Sequence, residues 1–99
     1  STRGGVRDVD FSDVVFSGYA PDGGLYVPQS IPIVDQQTLQ SWSKLNYSRL
    51  TSQVLQLFVN DKCKPHLDSI CDKAFMNFES SSYPVPVRRV GDIYVAETF

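Results

Sequence analysis

Residues 17–28 read SGYAPDGGLYVP, and this stretch determines where the first helix ends and how the chain turns back. Pro21 presets φ for a turn, Asp22 can accept a hydrogen bond from its own backbone, and Gly23 and Gly24 permit positive φ. Residues 20–24 are therefore predicted to form a tight turn. The next three residues, Leu25-Tyr26-Val27, are predicted to form a short strand that ends at Pro28.

The first helix is predicted on the amino-terminal side of this turn, over residues 10–18. Asp10 has the side chain of an N-cap, and Gly18 can take the left-handed conformation that ends a helix. Beyond the turn, Asp35 and Asn46 are predicted to cap a second and a third helix. Apolar residues recur at helical spacing in both helices: Leu39, Trp42 and Leu45 in one, and Leu50, Val54, Leu57 and Phe58 in the other.

The strongest periodic pattern lies in a fourth helix, for which Pro65 suits the first turn. Its apolar stripe consists of Leu67, Ile70, Cys71, Ala74, Phe75 and Phe78. Residues 79–82 break the pattern, and a hairpin is predicted after them, with period-two alternation on both sides of a tight Gly91-Asp92 turn. The fold class is therefore predicted to be α+β: a small domain of about four helices with a few short strands and a C-terminal hairpin.

The composition restricts the class of protein. A length of 99 residues and an apolar fraction of 41% indicate one small globular domain over residues 1–99. The net charge of −2 and the scattered basic residues argue against nucleic-acid binding. No apolar run reaches the ~18 residues of a membrane span, and no signal peptide is visible. A chain of this size buries only about 60–65% of its unfolded surface, so its stability alone is expected to be modest. If the chain is a fragment, its remaining apolar surface is expected to meet a partner domain.

The two cysteines are expected to be reduced thiols of a cytoplasmic protein. Cys63 and Cys71 lie eight residues apart, with neither a CxxC motif nor a histidine at ligand spacing. The alternatives are a disulfide or an oxidation-sensitive site. Cys71 is on the predicted buried stripe, where the pKa of a thiol rises, whereas Cys63 is predicted to lie in a loop.

The remaining titratable side chains do not suggest an active site. His66 is the only histidine and is expected to be solvated near the start of a helix. The lysines fall on predicted helix ends or polar faces, away from the apolar setting that lowers the pKa of an amine for Schiff-base chemistry: Lys44, Lys62, Lys64 and Lys73. We therefore expect no catalytic, cofactor-binding or metal-binding residue within the 99 residues.

Two segments are candidates for holding an anion. Asp22-Gly23-Gly24 lacks the spacing of a phosphate loop and precedes a strand instead of a helix, so turn formation explains it better. Arg3 lies among small polar residues in the opening STRGG segment and could bind an anion through its guanidinium. The structural alternative, which we favour, is that residues 1–5 are paired along their backbone beside the turn.

Several segments, in order, resemble the amino-terminal domain of the threonine synthase-like family. Ser1-Thr2-Arg3-Gly4 resembles the family's STRG opening, and residues 17–28 are very similar to its SGxAPDGGLYxP signature. Trp42, Leu45, Tyr47 and Leu50 match its W-x-x-L-x-Y-x-x-L spacing, and Ala74, Phe75 and Phe78 its AFxxF helix end. Residues 93–99 resemble the strand before its cofactor motif. Tyr19 and the ending Glu97-Thr98-Phe99 are closer to the second of the two vertebrate threonine synthase-like subgroups than to the bacterial members.

The resemblance implies that the catalytic domains come after residue 99, beginning with an HGxTxAFKD motif whose lysine carries pyridoxal phosphate. The cofactor acts as an electron sink, so that phosphate leaves from O-phosphohomoserine or O-phosphothreonine. A synthase then adds water to give threonine, whereas a phospholyase, the activity implied for this subgroup, gives 2-oxobutyrate and ammonia. The implied partners are the downstream domains and the phosphorylated hydroxy amino acid. The 99 residues alone are expected to bind no cofactor and to be inactive.

Two other functional interpretations remain open. The chain could be a truncated, non-catalytic interaction module, which would need an exposed apolar patch and a partner that recognises it. A redox protein built on Cys63 and Cys71 is the weakest of the three hypotheses. The presence or absence of a cofactor lysine within roughly ten residues after Phe99 separates the lyase from the interaction module.

Overall fold

The chain forms four helices followed by a two-stranded antiparallel hairpin, as the sequence predicts. The computed structural model describes residues 1–78 and 84–98. The elements are α1 Phe11–Ser17, α2 Gln36–Trp42, α3 Tyr47–Leu55, a 3₁₀ turn Lys64–His66 that leads into α4 Leu67–Phe75, β1 Val87–Val90 and β2 Ile93–Ala96. The α+β fold class is confirmed. The predicted break at residues 79–82 and the final Phe99 lie outside the described residues.

The helix ends follow the predicted capping residues, with one exception. The side chain of Asp35 accepts from the Thr38 N–H at 2.7 Å, and that of Asn46 accepts from the Arg49 N–H at 2.9 Å. Gly18 ends α1 at φ 71°. Asp10 does precede α1, but its side chain makes no capping hydrogen bond. The predicted position of Asp10 is confirmed, and its predicted capping bond is wrong.

Residues 25–27 do not form the predicted strand. The segment has no regular secondary structure, and two hydrogen bonds at Leu25 link it to the amino terminus. The Thr2 N–H donates to the Leu25 carbonyl at 2.8 Å, and the Leu25 N–H donates to Thr2 Oγ1 at 2.9 Å. Because the threonine hydroxyl takes the place of a backbone carbonyl, no repeating ladder develops.

The core lies between α3 and α4. Among residues 1–78 and 84–98, the buried apolar side chains are Ala20, Val59, Leu67 and Cys71. Aromatic rings extend this core, since Tyr47 and Phe75 meet edge to face at 4.9 Å between centroids and Phe75 meets Phe78 at 5.4 Å.

The apolar stripe of α4 is only partly buried, contrary to its prediction as one buried face. Leu67 and Cys71 face α3, whereas Ile70, Ala74 and Phe78 are exposed. Among the described elements, only α3 makes an extensive contact with α4, and it covers one side of the stripe. The outer half of the stripe therefore remains in contact with solvent.

The hairpin has the predicted two-residue turn. Val90 pairs with Ile93 on either side of Gly91-Asp92, and the register continues to Val87 opposite Ala96. Gly91 has φ 62°, the left-handed conformation that tight hairpin turns require. All eight strand residues are exposed.

The chain exposes much more surface than a compact protein of its mass. Its accessible surface is 8101 Å² at 11.1 kDa. A folded monomer of this mass exposes about 5,700 Å². Its radius of gyration is 15.8 Å, compared with about 13 Å for a compact domain of this length. Within the described part of the chain, no helix is long and apolar enough to span a bilayer.

Candidate functional site

The amino-terminal segment folds around the carboxylate of Asp22, and we call residues 1–5 together with the turn at 20–24 the Asp22 hub. Oδ2 of Asp22 accepts from the Ser1 hydroxyl at 2.5 Å and from the Gly5 N–H at 2.9 Å. Oδ1 accepts from the Gly24 N–H at 2.9 Å, which is the predicted bond of the aspartate to its own turn. One carboxylate therefore joins two segments that are about twenty residues apart.

These hydrogen bonds favour the charged form of Asp22. The Ser1 hydroxyl has the largest effect, the Gly24 and Gly5 amides add to it, and together they hold the pKa of the Asp22 carboxyl below its ordinary value of 3.8. Desolvation opposes this shift without cancelling it. At neutral pH the hub is therefore centred on a carboxylate ion whose acceptor positions are largely used within the protein.

The glycine-rich turn is closed on itself. The Gly23 N–H donates to the Ala20 carbonyl at 2.8 Å, and the Ala20 N–H donates to the Gly24 carbonyl at 3.0 Å. Gly23 has φ +75°, and a Cβ at Gly24 would lie 3.0 Å from Thr2 Oγ1 and 3.1 Å from the Arg3 amide nitrogen. Glycine is needed here for the turn and for the close approach of residues 1–5. The geometry thus supports the turn interpretation over a phosphate loop.

Arg3 contacts the turn directly. Its Nη1 donates to the backbone carbonyl of Asp22 at 3.2 Å and lies 3.1 Å from the position of a Cβ at Gly23. The hydrogen bond holds residues 1–5 against the turn, and the guanidinium occupies the space beside Gly23, so the structure favours the structural interpretation of Arg3 over an anion site. The residue as a whole remains exposed.

A second polar cluster joins α3 to α4. Arg49 lies 2.6 Å from Asp68 through Nη1 and 2.9 Å from Asp72 through Nη2. The hydroxyl of Ser52, which is fully buried, donates to Asp68 at 2.6 Å. Ser48 donates to Asp72. This arrangement fixes the rotation of the two helices relative to each other.

The sequence predicted none of this cluster, although it contains a signal for it. Arg49 and Ser52 are three residues apart on α3, and Asp68 and Asp72 are four apart on α4, so each pair shares one helix face. Helical spacing alone does not show that the two faces meet. The contact between the two faces follows only from the packing of α3 against α4.

The two cysteines differ as predicted. Cys71 is buried, and burial raises the pKa of its thiol, with further upward contributions from the charges of Asp68 and Asp72. Arg49 opposes this effect. Cys63 is half-buried in the turn before the 3₁₀ segment, and both thiols are free. A raised pKa keeps the Cys71 thiol protonated, as in a structural core cysteine, whereas a nucleophilic cysteine needs a lowered pKa.

The other candidate residues are not brought together. His66 is exposed, as expected, and Lys64 pairs with Asp61 at 2.8 Å. Lys44 borders an open groove of about 750 Å³ next to Tyr47, Phe75 and Met76, whereas Lys62 and Lys73 are exposed elsewhere. Among residues 1–78 and 84–98, no group of three His, Cys, Asp or Glu side chains could hold a metal ion.

Comparisons with known proteins agree with the resemblance. Residues 1–75 match the family model described as the threonine synthase N terminus. The threonine synthase-like 2 protein of Xenopus laevis is 45% identical over 91% of this chain, and that of Mus musculus is 44% identical over 79%. The threonine synthase of Pseudomonas aeruginosa is 35% identical over the whole chain. No solved structure shows a significant match.

The matched region is a small part of these relatives. This chain spans 19% of the Xenopus protein, 17% of the Mus protein and 21% of the Pseudomonas enzyme. The match to the family model includes both segments of the Asp22 hub and both helices of the α3–α4 core. The chain belongs to the threonine synthase N-terminal family.

Proposed function

We propose that this chain is the non-catalytic amino-terminal domain of a pyridoxal-phosphate-dependent lyase. Two observations support this proposal. The chain belongs to the threonine synthase N-terminal family, and it spans about a fifth of the length of the curated relatives it matches. In this proposal the catalytic domains come after residue 99, and the free thiols fit a cytoplasmic protein.

The residues of this chain do not fit pyridoxal phosphate. A lysine that binds this cofactor lies in a pocket that shields the amine from water, whereas Lys44, Lys62 and Lys73 are exposed and Lys64 is paired with Asp61. The Asp22-Gly23-Gly24 turn has both glycine amides engaged internally and carries a carboxylate at its centre, which repels a phosphate. The proposal therefore places the cofactor and the reacting groups outside these 99 residues.

The proposed reaction of the longer protein is the elimination of phosphate from O-phosphothreonine or O-phosphohomoserine. One water is consumed, and the products are 2-oxobutyrate, ammonia and phosphate. We propose the phospholyase reaction over threonine synthesis because the resemblance to the second vertebrate subgroup implies it, and the matched relatives include threonine synthase-like 2 proteins. No step of that reaction is assigned to a residue of this chain.

The observation that carries the scaffold role is the exposed apolar surface. Phe16 is 92% exposed and Ile33 is 98% exposed, and Ile31 and Tyr19 are also largely in solvent. The excess accessible area is on the order of 2,000 Å² on this chain alone, which is more than the about 800 Å² that each partner contributes to a standard protein interface. We infer that the catalytic domains of the same polypeptide cover this surface.

The Asp22 hub has a clear role in such a scaffold. It fixes a turn whose flanking residues, Tyr19 and Leu25, are exposed and apolar. A turn held by hydrogen bonds to a remote segment presents these side chains in one conformation, so docking costs less conformational entropy.

An interaction module with a partner on a different chain is the second candidate, because an exposed apolar surface also satisfies its requirement. The two candidates differ in the sequence expected beyond residue 99. A lysine within roughly ten residues, in a pocket that binds pyridoxal phosphate, supports the lyase, and its absence supports the interaction module.

The test compares the 99-residue chain with the longer polypeptide that contains it. Phosphate release from O-phosphothreonine and O-phosphohomoserine is measured with added pyridoxal phosphate. We expect turnover and bound cofactor in the longer polypeptide, and neither in the 99-residue chain. Turnover by the 99 residues alone would contradict the proposal, as would a longer polypeptide that binds no cofactor.

A further inference from the structure

The hairpin β1–β2 is incomplete as a sheet. It has two strands of four residues each, and all eight residues are exposed. A lone two-stranded hairpin is marginally stable in water, and a third strand or a covering layer is normally needed. The stability of this hairpin therefore depends on a contact outside it.

Both faces of the hairpin are mainly apolar, and each also carries one arginine of β1. Cross-strand partners share a face, so Val87, Tyr94 and Ala96 lie on one side with Arg89. Val90, Ile93 and Val95 lie on the other side with Arg88. A sheet with solvent on one face shows polar residues there, whereas a sheet covered on both faces is apolar throughout. Both arginines belong to β1, so the pattern indicates that β2 is the strand covered from both sides.

The register shows which backbone groups point outward. The Glu97 N–H donates to the Pro86 carbonyl at 2.9 Å, so positions 86 and 97 form a hydrogen-bonded pair. Pairs alternate along an antiparallel ladder, which makes Val87↔Ala96 and Arg89↔Tyr94 the non-hydrogen-bonded pairs. The N–H and C=O groups of Tyr94 and Ala96 therefore point away from β1.

The two outer edges differ in their protection. β1 carries Arg88 and Arg89 and is preceded by Pro86, and charges and proline are the residues that keep an edge strand from pairing further. β2 reads Ile-Tyr-Val-Ala, with neither a charge nor a proline, and consists mainly of residues that favour strands. The edge of β2 is the one suited to accept another strand.

From this asymmetry we propose that β2 is an inner strand of a larger sheet, and that its outer edge pairs with a β-strand from the remainder of the same polypeptide. The inference rests on the proposed function, because the strand that pairs with β2 would come from the four-fifths of the relatives' length that this chain does not span. β1 then forms the protected outer edge of that sheet.

A second copy of the chain is a poorer occupant. Pairing β2 with β2 of another molecule would build a four-stranded sheet but would leave the apolar residues on both faces in water. A larger domain supplies both the adjacent strand and the layers that cover Val90, Ile93 and Tyr94. The remainder of the polypeptide can therefore both pair with the edge of β2 and cover the apolar residues on its two faces.

The test is amide hydrogen exchange in the longer polypeptide, with the hairpin as its own control. We expect the amides of Tyr94 and Ala96 to exchange at least about 100-fold more slowly than those of Val87 and Arg89, which face outward on the protected edge. Equal rates at the four amides would overturn the proposal, as would protection of Val87 and Arg89 instead. Slow exchange of Tyr94 and Ala96 that appears only when the polypeptide dimerises would also overturn it, because β2 would then pair with a second copy.

Matched substitutions give a second measurement. Tyr94→Pro removes an amide that points at the proposed partner, whereas Val87→Pro removes one that points into solvent, and both leave the backbone bonds between β1 and β2 in place. Tyr94→Ala controls for the lost ring. We expect Tyr94→Pro to raise the rate of proteolytic cleavage in the hairpin about ten-fold, with much smaller effects from the two controls. Equal effects of the two proline variants would refute the assignment of the edge.

The outcome is independent of activity. If the longer polypeptide lacks turnover but protects Tyr94 and Ala96, the proposed reaction fails and the sheet assignment stands. If it is active but these amides exchange freely, only the sheet assignment fails.

Discussion

At the scale of single residues, the Asp22 carboxylate connects the opening segment to the turn. It accepts from Ser1, Gly5 and Gly24, and these bonds lower the pKa of its carboxyl. A lowered folded-state pKa means that the ionised form stabilises the fold. This contribution is complete above the unfolded pKa of about 3.9 and is lost as the pH falls through the folded-state value.

Asp22→Asn is therefore expected to lower the melting temperature at pH 7, because an amide replaces a charged acceptor that serves three donors. The difference from wild type should shrink as the pH falls below the ordinary carboxyl value of 3.8. Thermal unfolding of both proteins from pH 7 to pH 2 checks this. Asp10→Asn is the control, since the Asp10 side chain makes no capping bond. A difference that stays constant across this range would contradict the role assigned to Asp22.

Ser52 provides a second test at the residue scale. Its hydroxyl is fully buried and donates to Asp68, whereas Ser48 donates to Asp72 at the rim of the same interface. Ser52→Ala removes a buried bond to a charged group and should cost about 1–2 kcal/mol of unfolding free energy. Ser48→Ala should cost less than about 1 kcal/mol. Urea unfolding compares the two variants, and equal losses would show that burial does not distinguish the two serines.

At the scale of elements, the sequence predicted the features that depend on neighbouring residues. The caps at Asp35 and Asn46, the stop at Gly18 and the turn at Gly91-Asp92 all act within a few positions of the chain. Residues 25–27 were mispredicted as a strand because their pairing depends on Thr2, 23 residues before Leu25. The Arg49 cluster was missed for a similar reason, since it needs two helices to meet.

The caps themselves can be tested as a pair. Asn46→Ala removes a side chain that accepts from the Arg49 amide and should cost about 1 kcal/mol. Asp10→Ala removes a side chain at the equivalent position of α1 that makes no such bond, and should cost much less. Unfolding free energies of the two variants measure this difference. A larger loss of unfolding free energy for Asp10→Ala than for Asn46→Ala would contradict the assignment of Asn46, and not Asp10, as the side chain that caps its helix.

At the scale of the whole molecule, the apolar surface is the dominant feature. The sequence predicted apolar positions correctly but predicted that the α4 stripe forms one buried face, whereas Ile70 and Phe78 are exposed. Helical periodicity identifies which residues share a face, and it does not show what covers that face. The same holds for the candidate site. The turn at Asp22 was predictable from its own residues, whereas the hydrogen bonds that Asp22 accepts from residues 1–5 were not.

The central claim is that these 99 residues form a scaffold and that the cofactor lysine lies elsewhere in the polypeptide. Its most direct test is borohydride reduction of the longer polypeptide with bound pyridoxal phosphate, followed by mass spectrometry of its peptides, because reduction fixes the cofactor to the amine that holds it. We predict that the labelled lysine lies beyond residue 99. A label on Lys44, Lys62, Lys64 or Lys73 would contradict the account.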